Sequence, residues 1–240
     1  MAAKCISRKV LCNLSYARKL AILKNAKTIS TQNEGNKSDL LDKVSFLTND
    51  CTIEELEVVQ DMVVGNLEVH EDFISEEEEN RLLNEVEPYL TRQTYQYDHW
   101  DGAIHGYRET EKTRWTTDSL RIFKRIKDTS FTAKTKLLPS VHVLDLAKNG
   151  YIKPHIDSIK FCGPIIAGLS LLSPSVMRFI HEEHNSVLVD ALLPRFSLYI
   201  MRGPIRFSFT HEILEGRKST WKGQDVTRDR RISVILRSQP

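Results

Sequence analysis

The chain has 240 residues, 40% of them hydrophobic and 28% charged, an ordinary globular composition with length for one substantial core or one domain and an appendage. A net charge of +2 does not advertise a nucleic-acid binder, although a local basic patch would suffice. Cys5, Cys12, Cys51 and Cys162 never fall into a CxxC pair, which leaves a zinc ribbon or redox motif unsupported, and no apolar run approaches the ~18 residues of a transmembrane helix.

Residues 1–33 contain no Asp or Glu, while Lys4, Arg8, Lys9, Arg18, Lys19, Lys24 and Lys27 alternate with apolar and hydroxyl side chains. Basic, hydroxylated and acid-poor, this is the profile of a mitochondrial transit peptide, whereas a secretory signal needs a cleaner apolar stretch. A basic tail or a nucleic-acid-touching arm is the alternative. The polar NEGNKS, residues 33–38, reads as a linker. It leads into SDLLDKVSFLT and TIEELEVVQDMVV, where helical periodicity and the Thr52/Glu55 capping-box spacing predict a helical extension over residues 34–63.

From residue 64 the pattern firms up. LEVHEDF predicts a short strand, and Ser75 caps a helix from Glu76 with Leu82, Leu83, Val86 and Leu90 turned inward. Glu76 to Glu79 read as a solvated helix start that suits the helix dipole. A second helix is predicted over TTDSLRIFKRIKDTSF, with Asp118 as cap and Leu120, Ile122, Phe123 and Ile126 apolar. From about Leu137, short β-prone runs follow without intervening helices: SVHVLDL, PIIAGLSLL, SVMRFI, SVLVDALL, FSLYIM, PIRFSFTHEI and RRISVILR. Turn signals separate them at Asn149-Gly150, Ser173-Pro174, Glu183-His184-Asn185 and Arg202-Gly203-Pro204. The expected fold is mainly β, a jelly roll or double-stranded β-helix with helices packed outside.

Chemistry enters at YIKPHIDSIKF. His155 and Asp157 are two apart, and on an extended chain they share a face. Alone, the pair reads as a solvated turn or a His–Asp hydrogen bond. His211, at the end of a strand-like run far downstream, changes that reading, because a jelly roll brings distant strand ends to one mouth. Two imidazoles and a carboxylate on one face of a metal, with positions left open, are the ligand set of non-haem Fe(II) oxygenases. In the last strand, Arg231 and Arg237 are six apart and share a face. Buried, they need an anion, and a dicarboxylate such as 2-oxoglutarate would meet both bidentately, with Tyr199 helping from a neighbouring strand. Arginines on a sheet edge are the competing explanation. Of Arg230 and Arg231, one must face outward.

The pattern His155-x-Asp157, His211, Arg231-x5-Arg237 resembles the AlkB family of Fe(II)/2-oxoglutarate dioxygenases. The phrases YDHWDGAIHGYRETEKTRW, PSVHVLDL, GYIKPHIDSIKFCG, IAGLSLLSPSVMR and RRISVILRS are similar to its mitochondrial branch over roughly residues 64–238. The resemblance implies a dioxygenase domain over 64–240 that uses Fe(II), 2-oxoglutarate and O2. His155, Asp157 and His211 would be the metal ligands, and Tyr199, Arg231, Ser233 and Arg237 would hold 2-oxoglutarate. Leu144 and Leu146 stand where repair-type members carry polar co-substrate contacts, and no base-gripping lid is legible. A mitochondrial matrix enzyme is expected, with no transmembrane segment since no long apolar run occurs, and a monomer is favoured with the oligomeric state left open. Kinship suggests oxidative demethylation of methylated bases in mitochondrial RNA, with roles in alkylation-induced programmed necrosis and fatty-acid metabolism. A dioxygenase hydroxylating a protein side chain or metabolite, and an iron-binding interaction protein with little turnover, are the alternatives. Tyr97, His99, Trp100, His105, Tyr107 and Arg108 are candidates for a substrate entrance, since aromatics stack on bases, or for core. His181-Glu-Glu-His184 has the wrong spacing for a zinc protease and reads as a hairpin turn. Cys162 reads as a buried small hydrophobe.

Overall fold

A computed structural model describes residues 42–97, 102–216 and 219–240. The basic segment 1–33, residues 34–41, and the entrance candidates His99 and Trp100 lie outside the described residues.

Nine strands form the main path of one antiparallel sheet, in the order β1-β7-β6-β9-β4-β12-β5-β8-β2, and β3 pairs with β4 as a tenth. Their ranges are β1 Val44–Thr48, β2 Leu67–His70, β3 Ile104–Lys112, β4 Val141–His155, β5 Ile165–Leu171, β6 Ser175–His181, β7 Val187–Leu193, β8 Ser197–Arg202, β9 Phe209–Ile213 and β12 Arg231–Arg237. A separate hairpin joins β10 Thr220–Trp221 to β11 Gln224–Asp225. Val44 of β1 and Leu67 and Val69 of β2, from opposite ends of the strand order, share one apolar cluster with Phe179, Val189, Tyr199 and Phe209. The sheet is therefore curled over on itself, as the run of short strands predicts.

Two helices cover the outer face, while a third, α1 Ile53–Val63, adds Val59 and Val63 to the inner cluster. α1 and α2 Glu76–Leu90 each open with a complete capping box, Thr52/Glu55 and Ser75/Glu78. α2 and α3 Thr117–Ser130 lay Leu82, Val86, Leu90, Ile122 and Ile126 against Val143, Leu169, Ile200, Ile232 and Val234. Each such buried side chain contributes roughly 1.5–3 kcal/mol. The strand period then divides β12 cleanly: Ile232, Val234 and Leu236 pack under the helices, while Ile235 belongs to the inner cluster.

The structure corrects several local expectations. Val44–Thr48 is a strand paired with β7, because its apolar residues find a ladder edge there. The cap of α3 is Thr116, whose hydroxyl accepts from Ser119 N; Asp118 sits in the first turn, and Leu120 is exposed. PIRFSFTHEI is two elements. Gly203 takes a positive φ of 53° and Pro204 suits a first helical turn, so α4 Gly203–Phe207 precedes β9. Asn149-Gly150 does not reverse the chain. It lies in a bulge of β4, where Tyr107 faces Leu146 and His105 faces Tyr151. Arg228 donates to the carbonyls of Ala147 and Gly150 in that bulge. Glu79 is not solvated: it is fully buried, accepting from Leu172 N and from Arg195.

Candidate active site

β4 and β9 end side by side, with His155 directly opposite His211 in the ladder. Asp157 follows two residues beyond the last pair. One ligand atom from each of the three lies within 4.8 Å of the others. The two imidazole rings are 4.3 Å apart between centroids, and His155 Nε2 is 3.6 Å from Asp157 Oδ1. His155 Nδ1 lies 2.9 Å from the Lys153 carbonyl. A proton on Nδ1 donates there and leaves the Nε2 lone pair for a metal.

Electrostatics prepare the same donor set. Burial holds the His211 imidazolium pKa down to about 4, so the ring is neutral at pH 7. Burial alone would raise Asp157. The adjoining His155 ring and the positive field of Arg237 outweigh it and hold the carboxyl well below its usual range. Two imidazoles, His211 held neutral, and one carboxylate on one side of a point suit Fe(II) and leave room for further ligands.

The inward residues of β12 form the neighbouring floor. Arg231 is buried, donates Nε to Ser170 Oγ at 3.1 Å and hydrogen-bonds Tyr199, yet its Nη2 is buried without a partner. Among the described residues no carboxylate pairs with it. Tyr199 lies across Gly168, where a Cβ would collide with the phenol ring and its oxygen. Burial raises the phenol's pKa, so it remains a donor. Leu144, Leu146 and Ile235 supply apolar walls, opposite or beside Ser233 and Arg231 in the register. Arg237 donates Nη2 to His142 Nδ1 at 2.9 Å, and His142 Nε2 meets Glu109 at 2.8 Å. Arg237 Nε is also buried without a partner. Two guanidinium groups with unused donors beside apolar walls fit a small dicarboxylate.

The structure thus brings together His155, Asp157 and His211, and it turns Tyr199, Arg231 and Ser233 inward. Arg230 faces the other way, onto Glu87 and Asp145. Of the entrance candidates, Tyr107 is only 3% exposed, belongs to the inner core and donates to Gln96, so it does not line an entrance. Arg108 is taken by the buried Asp145 at 2.6 Å. His105 stacks on Tyr151 at 5.0 Å and meets the edge of Tyr97 at 5.1 Å. With Lys148, Asn149 and Arg228, His105 and Tyr151 line a cavity of about 610 Å³. His181 Nδ1 accepts from Glu183 N and His184 N, which makes that motif a turn. Ser170, Gly168 and His142 escaped the sequence reading. Ser170 and Gly168 alternate on the inward face of β5, a period-2 signal that small residues leave faint.

Residues 146–237 match the 2OG-Fe(II) oxygenase superfamily. The chain is 54% identical over 172 residues to the mouse alpha-ketoglutarate-dependent dioxygenase alkB homolog 7, mitochondrial, covering 72% of this chain and 78% of the mouse protein. The bovine protein of the same name is 55% identical over 168 residues, covering 70% of this chain and 76% of its own length. This chain belongs to the alkB homolog 7 family of 2OG-Fe(II) oxygenases. It is an Fe(II)- and 2-oxoglutarate-dependent dioxygenase. Solved structures share its jelly-roll fold. OsALKBH1 has a TM-score of 0.50 at 11% identity, covering 72% of this chain and 97% of that one. A Pseudomonas putida prolyl-4-hydroxylase has a TM-score of 0.51 at 12% identity, covering 77% and 98%. Among the described residues no helix is long and apolar enough to cross a membrane.

Proposed function

We propose that His155, Asp157 and His211 hold the ferrous ion, and that Arg231, Tyr199, Ser233 and Arg237 hold 2-oxoglutarate. The convergence of the three side chains within 4.8 Å, at the ends of strands whose ligands are 56 positions apart in the chain, carries this reading (211 minus 155). When bound there, iron supplies the oxidising chemistry that couples decarboxylation of 2-oxoglutarate to insertion of oxygen into a substrate C–H bond. The protein's part is positional. The Lys153 carbonyl fixes the His155 tautomer. Arg231, Tyr199 and Ser170 orient one end of the diacid, and Arg237 sits at the Asp157 end. Leu144, Leu146 and Ile235 keep water from the space between.

The substrate is a methylated base in mitochondrial RNA, and the reaction is oxidative demethylation by a monomer in the matrix. A hydroxylated N-methyl group releases formaldehyde and leaves N–H. The stacked His105–Tyr151 pair, with Tyr97 edge-on to His105, supports a planar substrate. The acid-free basic segment 1–33 and the mitochondrial relatives support the location. Residues 34–63 then lead from that segment into the dioxygenase domain of residues 64–240, adding β1 to its sheet beside β7. Roles in alkylation-induced necrosis and fatty-acid metabolism follow from the same kinship. A second reading, hydroxylation of a protein side chain, is favoured by Ile159 and Phe161, 66% and 63% exposed on the loop after Asp157.

Purified protein with Fe(II), 2-oxoglutarate and mitochondrial RNA should yield succinate, formaldehyde and loss of a methylated nucleoside by mass spectrometry. His155→Ala should abolish all three. Succinate without formaldehyde, with a protein gaining one oxygen, would replace demethylation by hydroxylation. Unchanged turnover in His155→Ala would remove the ligand assignment.

A further inference from the structure

Asp157 differs from its two companions. His155 and His211 are held in register by the ladder between β4 and β9, whereas Asp157 lies past its end, in the segment leading to β5. A ligand on irregular backbone needs something else to fix it, because main-chain groups outside a ladder need other partners.

The partner is Arg206. It lies on α4, 2% exposed, and all four of its hydrogen bonds go to residues 157–163. Nη1 donates to the Asp157 carbonyl at 2.8 Å, Nε to the Gly163 carbonyl at 3.2 Å, and Nη2 to the Cys162 carbonyl at 3.1 Å and its Sγ at 3.0 Å. Every acceptor is neutral. A guanidinium buried without a carboxylate is costly, and what it supplies here is a donor for each of three main-chain carbonyls. Its planar fork, charged at every working pH, fits three carbonyls that diverge along one loop. The same loop is closed at its far end by the residues that follow β12. Gly163 N donates to the Ser238 carbonyl, and a Cβ on Gly163 would collide with the Gln239 carbonyl. Arg206 also stands five positions before His211, on the element that feeds β9.

Resting on the metal reading above, we infer that Arg206 is the positioning residue of the iron site: it pins the Asp157 loop to the element that delivers His211, and so sets the third corner of the ligand triangle. Cys162 serves as one of its acceptors. Burial raises the thiol's pKa, consistent with a protonated, unreactive group.

The test titrates the full-length protein and its Arg206→Met and Arg206→Lys variants with Co(II), which reports its ligand geometry in the visible spectrum. Circular dichroism checks folding, and metal-free binding of 2-oxoglutarate is measured in parallel. Folded Arg206→Met should bind Co(II) about tenfold or more weakly, with an altered spectrum, while 2-oxoglutarate binding holds. Arg206→Lys, which offers one donor point instead of a fork, should fall between. A folded Met variant with the parent's affinity and spectrum overturns the inference. So does an equal loss of 2-oxoglutarate binding, which would mean general collapse, or failure of both variants to fold. Asp157→Ala separates the two readings: if the parent's Co(II) site survives that change, the metal assignment itself falls.

Discussion

At the scale of single residues, the proposed iron site holds His211 neutral and Asp157 charged before any metal arrives. That arrangement has a cost in acid. His211 has an ordinary value of 6.5 and is held to about 4 by burial, so between those values the unfolded chain binds a proton that the folded chain refuses. Stability of metal-free protein should therefore fall as pH drops from 6.5 towards 4, by roughly 3 kcal/mol at most. Asp157 acts lower. Its folded value lies below its ordinary 3.8, so its contribution is present above that pH and is lost on further acidification. Urea unfolding of metal-free protein at pH 7, 5.5 and 4.5 should show a declining midpoint, and His211→Gln should flatten the decline. A midpoint equally steep in that variant would assign the proton uptake elsewhere. Sequence reading reached these residues because their chemistry is rare: two histidines and an aspartate at strand ends have few structural uses. It missed Arg206, because an arginine held by backbone carbonyls has no partner that a sequence pattern can display.

At the scale of elements, α2 carries a second polar anchor. Glu79 sits on the inward stripe, one turn before Leu82 and Leu83, and is fully buried. It accepts from Arg195 Nε at 3.0 Å and Nη2 at 2.6 Å, and from Leu172 N at 2.8 Å. The helix is thereby tied to the loops flanking β5 and β8. Glu79→Ala leaves Leu172 N without its acceptor and Arg195 without its carboxylate. Because the Arg195 side chain is 37% exposed, water recovers part of the loss. We expect destabilisation of about 2 kcal/mol in thermal unfolding, against under about 0.5 kcal/mol for Glu77→Ala on the exposed face. Equal effects from both would show that Glu79 acts through helix charge alone. Four consecutive glutamates look alike as composition, and the helical phase set by Leu82, Val86 and Leu90 was the signal that distinguishes the fourth. Phase also made the strands legible, most clearly in β12, where alternate residues serve two different cores. It failed at PIRFSFTHEI, where a short apolar run supports a helical turn and a strand equally.

At the scale of the whole molecule, the curled sheet places β12 between β4 and β5, so one strand borders both ligand groups. It carries Arg231 at one end and Arg237, whose charge reaches Asp157, at the other. The ladder order was not readable from the chain, since pairing β9 with β4 depends on contacts across more than fifty residues. The jelly-roll class was readable, and it alone made the convergence expected. Because the proposed iron ligands sit at the ends of β4 and β9 and the proposed 2-oxoglutarate residues on β8 and β12, all strands of one sheet, occupancy should stabilise the entire unit. Under anaerobic conditions, Fe(II) or 2-oxoglutarate at a hundred times its Kd adds about 2.7 kcal/mol, or roughly 5–10 °C in Tm for a unit of this size. Asp157→Ala should lose the Fe(II) increment and keep part of the 2-oxoglutarate one. Arg231→Met should lose the 2-oxoglutarate increment and keep that of Fe(II). The two losses must be separable, because the residues approach their ligands from different strands. If Arg231→Met kept the full 2-oxoglutarate shift, the buried guanidinium would not be the diacid's anchor, and Arg237 would have to hold it alone.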